Sequence, residues 1–299
     1  MQVRNKVALY AAVGCVWLTT SVWANAAPVL NELRQSGKLR IAYRESSVPF
    51  SYLDANRMPI GYALDLCLKV ADALRKQPGL QNMGIEWIPA TPANRIALVE
   101  QGQAHLECGS TTNNAERRQK VAFTIAHFIT GARLLVRADS KVTRIEDLEG
   151  KKLVSTQGTT PLKAAEQANR ERLLRITIMQ APDHARAVEM VEKGEADAFV
   201  MDDVLLYGLA ANRPDPSALK VVGKFITTEA LAIMLPKGDP QFKKLVDDEM
   251  RRLIQSREIF TIYHQWFAKP IEPANTALNM PVSYLLRDFW KYPTDQVPF

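Results

Sequence analysis

The chain has 299 residues, of which 47% are hydrophobic and 23% charged. This is ordinary globular composition, long enough for two domains. The formal net charge of +6 comes from 38 Lys and Arg against 32 Asp and Glu, interspersed without long single-sign runs. That is not the electrostatic footprint of a nucleic-acid-binding protein, and no nucleic-acid partner is expected.

The chain starts differently from the way it continues. Arg4 and Lys6 precede the apolar run VALYAAVGCVWL, and Ala24-Asn25-Ala26 forms a small-x-small site. The apolar run is short for a bilayer span. The pattern is that of a secretory signal, 1–26, cleaved to leave an exported mature protein from Ala27. An uncleaved anchor and lipidation at Cys15 are the alternatives. With the signal gone, the 38 basic residues fall to 36 against the same 32 acidic ones, net +4.

After the signal, helical and strand periods alternate. LRIAYR (39–44) reads as a strand, and 62–76 as an amphipathic helix. Its buried face carries Leu64, Cys67, Val70, Ala71 and Leu74, and its polar face Asp65, Lys69, Asp72 and Lys76. A strand at 84–89 and a helix at 93–102, ended by Gly102, follow. The alternation resumes with a strand near 152–155, a helix at 161–170, a strand at 175–179, a helix at 183–193 and a strand at 197–201. Strands alternating with helices predict an α/β fold with mostly parallel sheets.

Two stretches resemble each other. VEQGQAHLECGS (99–110) and VEKGEADAFVMD (191–202) share Val-Glu-x-Gly-x-Ala. Each predicts a helix stopped at glycine and a strand running to a polar residue, Ser110 or Asp202. This points to two similar lobes whose ligand-binding ends are strand carboxyl ends. Strand-like segments at 130–137 and 229–240 read as crossings between lobes. The predicted organisation is therefore 27–129 with 230–270 as lobe 1, 130–229 as lobe 2, and 271–299 as a C-terminal extension packed on lobe 1. Helices are expected at 240–256, 257–267 and near 282–290.

The polar residues collect at the predicted strand ends. ECGSTTNNAERR (107–118) puts hydroxyls, amides and Arg117 on one turn before what reads as a helix start. Ser110, Thr112 and Arg117 together suit a small anion. STQGTTP (155–161) repeats the logic with Gly158, Thr159, Thr160 and Pro161. Arg44 ends the first strand. Arg95 lies in the first turn of a helix, where the dipole disfavours a cation unless an anion is bound. His184 and Asp202 belong to the second lobe. Asp202 suits an ammonium group, and Asp203 reads as the cap of the next helix. A ligand with two carboxylates and one ammonium satisfies the whole set, which describes glutamate or aspartate.

The segments RESSVPFSY, NRIALVEQG, ECGSTTNNAER, GARLL, GTT, DHARAVEMVEKGEADAFVMDD and DPQFKKLVDDEM span most of the mature chain. Together they resemble the periplasmic glutamate/aspartate-binding proteins of ABC uptake systems, within the extracellular solute-binding proteins for polar amino acids. The resemblance implies a two-lobe periplasmic binding protein fold (type II) joined by two hinge strands. It implies a monomer that binds L-glutamate or L-aspartate and docks on a membrane ABC permease, with no cofactor, metal or catalysis. It also implies roles: Arg117 with Ser110 and Thr112 for the α-carboxylate, Arg44 and Arg95 for the side-chain carboxylate with His184 beside it, and Asp202 for the ammonium with Thr159 or Thr160. The sequence departs from the pattern at Pro92, where the family has serine at the helix start, leaving Thr91 as the nearest hydroxyl.

Two alternatives are weighed against this. One is a dehydratase- or lyase-like enzyme on the same fold, pairing Asp183 with His184 as a base and using Glu107 as an acid, though nothing supplies a nucleophile. The other is a sensory ligand-binding module. Cys67 and Cys108 either pair in the oxidising compartment or lie apart as small buried residues. The four histidines are scattered, without metal-ligand spacing.

Overall fold

The structure is a computed structural model that describes Val29–Gln296. The proposed signal at 1–26 lies outside the described residues. Two five-stranded sheets organise the chain. In the first, the strands Gly84–Pro89, Lys38–Tyr43, Leu106–Glu107, Met234–Pro236 and Val121–Phe123 lie side by side. In the second the order is Thr177–Ala181, Lys152–Thr156, Ala198–Asp202, Ala132–Arg137 and Leu219–Val222.

Each sheet is mostly parallel, as the alternation of helix and strand predicts. The one reversed strand is Met234–Pro236 in the first and Ala132–Arg137 in the second. Both reversed strands come directly after a crossing. The chain leaves the first sheet through Phe128–Thr130 and returns through Glu229–Leu231, and these two segments pair antiparallel with each other. The sequence read 130–137 as a single crossing segment. It is divided at Gly131, where the backbone of Thr227 approaches too closely for a side chain: an added Cβ would lie 2.3 Å from the Thr227 carbonyl oxygen.

The helices form where apolar period and caps agree. Tyr62–Arg75 buries Leu64, Cys67, Val70, Ala71 and Leu74, the face read from the sequence. Thr160–Glu171 starts with Pro161 in its first turn, and the Thr159 hydroxyl accepts from the Leu162 N–H. His184–Glu192 is capped by the Asp183 carboxylate, which accepts from the Arg186 N–H. Two local expectations are corrected. No α-helix follows Arg117. A single 3-10 turn, Arg117–Gln119, leads straight into the strand Val121–Phe123, because only three residues separate Arg117 from Val121. Asp203 is not the cap of the helix Asp203–Ala211 but its first residue, and its carboxylate accepts from the Thr130 hydroxyl at 2.7 Å.

Cys67 and Cys108 form a disulfide, joining the helix under the first sheet to the residue after Leu106–Glu107. Cross-links of this kind contribute about 2–4 kcal/mol, mainly by restricting the unfolded chain. The turn that follows Cys108 is thus anchored at its root. The C-terminal segment reaches the same region: the Trp290 indole donates to the Ala126 carbonyl, and the Asn113 amide donates to the Asp295 carbonyl at 2.9 Å.

Candidate functional site

The carboxyl ends of the parallel strands in the two sheets face each other. Between them is a narrow pocket with a volume of only about 10 Å³, far below the roughly 300–1,000 Å³ of drug-sized clefts, so the gap is nearly shut. Seven of the nine candidate side chains line it. Arg95, Ser110 and Thr112 come from one half of the molecule, and Thr159, Thr160, His184 and Asp202 from the other. Pro161, Met201 and Leu205 complete the wall. The remaining two candidates flank this cavity. Arg44 borders a wider opening that also meets Thr91, Pro92 and Asp183. Arg117 is buried and donates to the Thr112 carbonyl at 2.9 Å and, across the gap, to the Gly158 carbonyl at 3.3 Å.

The closed arrangement depends on backbone fit. Gly158 has φ +76°, and a Cβ there would lie 2.7 Å from the Pro92 carbonyl oxygen of the opposite half. Gly208 approaches the Val48 carbonyl so closely that a Cβ would sit at 2.4 Å. At the rim, Lys163 and Glu116 pair across the gap at 2.6 Å; so exposed a pair contributes little.

The electrostatics are unusual for a protein interior. Arg44, Arg95 and Arg117 are all buried. Nε and Nη1 of Arg44, and Nε of Arg95, have no hydrogen-bond partner among the described residues. Burial and the neighbouring Arg95 pull the Arg44 guanidinium down to about 9, and the same two causes bring Arg117 to about 10. Burial also lowers Arg95, against the opposing pull of Glu107, Asp202 and Glu229. All three remain cations near neutral pH. Opposite them, burial and the carboxylates of Glu229 and Asp203 push Asp202 well above the carboxylate range, and its Oδ1 is buried without a partner. His184 is held neutral by burial and by Arg44 and Arg95. Its Nδ1 pairs with the Thr156 hydroxyl at 2.8 Å.

Leaving buried donors and charges unpaired is costly. The arrangement is chemically complementary to anionic groups on the arginine side and to a cationic group on the Asp202 side. The catalytic pairing weighed from the sequence is not made. The Asp183 carboxylate is occupied as a helix cap, and Glu107 accepts from the Thr111 hydroxyl at 2.6 Å without lining the cavity. Among the described residues no group of three or more His, Cys, Asp or Glu is placed to hold a metal, and no helix is long and apolar enough to cross a membrane.

Glu229 escaped the sequence reading. It lies on the returning crossing strand, 2% exposed, and its carboxylate accepts from the hydroxyls of Thr112, Thr160 and Thr227. The available signal was an acidic residue opening the otherwise apolar run EALAIML.

Residues 39–269 match the bacterial extracellular solute-binding proteins, family 3. The chain belongs to this family. Among family 3 members it is 38% identical over 268 residues to the L-glutamate/L-aspartate-binding protein of Pseudomonas aeruginosa, covering 89% of each chain. It is 37% identical to the glutamate/aspartate import solute-binding protein of Salmonella typhimurium, covering 91% of this chain and 90% of that one. These relatives are binding proteins and not enzymes. Among solved structures, an ancestral arginine-binding protein bound to glutamine superposes with a TM-score of 0.70 at 21% identity, over 78% of this chain and 99% of that one. The ancestral amino acid-binding protein AncCDT-1, a precursor of cyclohexadienyl dehydratase, gives a TM-score of 0.69 at 28% identity, over 80% and 99%.

Proposed function

We propose that this protein, exported to the periplasm and cleaved after Ala26, captures L-glutamate or L-aspartate between two lobes and presents it to a membrane ABC permease. Lobe 1 comprises 27–129 and 230–270, lobe 2 comprises 130–229, and 271–299 packs on lobe 1. The observation that carries the reading is the meeting of three buried guanidinium groups with an unpaired buried carboxylate, Asp202, around one interlobe cavity. The names of the relatives in Pseudomonas aeruginosa and Salmonella typhimurium support the same ligand class.

In this reading Arg117 and Ser110 hold the α-carboxylate. Arg44 and Arg95, with neutral His184 beside them, hold the side-chain carboxylate. Asp202 takes the ammonium, helped by a threonine hydroxyl. Each charge-assisted hydrogen bond contributes about 1.5–3 kcal/mol, against the desolvation of two carboxylates. The sum favours binding only when both lobes engage together, so the solute shifts an open–closed equilibrium toward the closed form. Closure then creates a composite surface for the permease to read, and the protein works as a monomer.

A thermal-shift panel of amino acids on the mature protein tests the reading, because a solute that prefers the folded state raises the melting temperature. Glutamate and aspartate are expected to give the largest shifts. Shifts confined to neutral or basic amino acids reject the assignment.

A further inference from the structure

The hydroxyl hydrogens around Glu229 can be counted. Its Oε2 accepts from Thr112 Oγ1 at 2.5 Å and also from Thr160 Oγ1. Its Oε1 accepts from Thr227 Oγ1 at 2.8 Å. An ionised carboxylate only accepts, and each threonine hydroxyl owns one hydrogen. Oxygen–oxygen contacts this short hold a proton between them. Thr112 and Thr160 therefore both spend their hydrogen on Glu229. Thr227 fits the same scheme, since its hydroxyl receives the Ala132 N–H at 3.0 Å while donating to Glu229.

This fixes the polarity of the cavity wall. Thr112 Oγ1 and Thr160 Oγ1 are 3.1 Å apart and come from opposite lobes, and both line the cavity. With their hydrogens turned away, neither donates to the other, and each offers only lone pairs inward. Two acceptor oxygens this close repel unless a donor reaches them. Asp202, with Oδ1 buried and unpartnered, lines the same cavity.

We infer that Glu229 is a positioning residue for the cationic end of the solute: it turns the Thr112 and Thr160 hydroxyls into acceptors, so that with Asp202 they accept the N–H groups of an ammonium. Glu229 is absent from the cavity lining and acts through the two threonines. Thr112 thereby moves from the carboxylate end, where the sequence resemblance put it, to the ammonium end. Because Thr112 and Thr160 reach Glu229 from different lobes, the polarised pair assembles only on closure.

The inference rests on the proposed acidic amino-acid ligand, and the test separates the two. Wild-type protein is titrated with L-glutamate, L-aspartate and glutarate, the last lacking the amine, and Glu229→Gln is titrated with the same set. Failure of the wild type to bind either amino acid overturns the functional reading. If the wild type binds glutamate, Glu229→Gln is expected to lose at least about tenfold on glutamate and less than about threefold on glutarate. Equal losses reduce Glu229 to a structural latch and overturn the inference. If the variant does not fold, or glutarate binds the wild type too weakly to titrate, neutron diffraction of the deuterated wild-type glutamate complex decides. Deuterons of Thr112 and Thr160 pointing at Glu229 uphold the proposal, and a hydroxyl deuteron pointing at the solute overturns it.

Discussion

The two walls of the cavity are built on the same plan and carry opposite chemistry. In both, a parallel strand ends at the gap and a threonine-rich turn follows. The first-sheet wall is cationic, with Arg44, Arg95 and Arg117 buried together. The second-sheet wall carries no arginine in the lining and offers Thr159, Thr160, neutral His184 and Asp202. The asymmetry divides the work. In the proposed reading the arginines of one wall face the solute's carboxylates and bear the cost of keeping guanidiniums out of water, while the other wall brings Asp202 as the counter-charge when the walls meet. A fold with two similar lobes can thus read the two ends of one small zwitterion separately.

If the cationic wall is what holds the solute, removing its most connected member should do most damage. Arg117→Met deletes two charge-assisted contacts, to Thr112 and across to Gly158, besides any solute carboxylate it holds. Calorimetry is expected to show at least about a hundredfold loss for every amino acid, on the order of 3 kcal/mol or more. Retained affinity would shift the carboxylate role to Arg44 and Arg95.

On the opposite wall, Asp202→Ala is expected to weaken glutamate by about ten- to a hundredfold, near 2 kcal/mol for one charge-assisted contact, while changing glutarate much less. Similar losses for both solutes would remove Asp202 from ammonium recognition.

The halves also meet acid with the same weakness. His127, packed against Phe50 and Tyr62 just before the outgoing crossing, is held down to about 3 by burial; burial likewise keeps His184 neutral. A folded-state pKa below the unfolded value of about 6.5 means that the unfolded chain binds more protons between pH 3 and 6.5, so stability falls as pH falls through that window. For His127 alone the loss between pH 7 and 5 is about 2 kcal/mol. Urea unfolding at the two pH values checks this, and the pH dependence should shrink in His127→Phe. An unchanged dependence would place the acid sensitivity elsewhere.

The smallest effect is expected from Arg95→Met. Loss of one member of the cationic wall should cost glutamate about tenfold, roughly 1.4 kcal/mol, and move preference toward glutamine, whose amide needs no counter-charge. An equal loss for glutamine and glutamate would show that Arg95 serves general binding.

Much of this was legible in the residues. The alternation of helical and strand periods located the strands at Lys38–Tyr43, Gly84–Pro89 and Lys152–Thr156 within a residue or two, because apolar period and turn residues agreed there. The seven lining side chains came from strand ends and from the turns and helix starts that follow strands, where hydroxyls and charges are conspicuous. What stayed hidden depended on pairing across long sequence separations. Glu229 looks like any strand residue until Thr112, 117 positions away, is placed against it. The Cys67–Cys108 bond was one of two open readings, since spacing alone carries no distance. The helix expected after Arg117 failed because tertiary pairing of Val121–Phe123 with Met234–Pro236 overrode a local helix signal.

The most direct test is a calorimetric titration of the ligand-free mature protein with glutamate, aspartate, glutamine and arginine under one set of conditions. The account predicts that both dicarboxylic amino acids bind and that glutamine and arginine bind far more weakly or not at all. Tight binding of glutamine or arginine with no heat from glutamate or aspartate would contradict it.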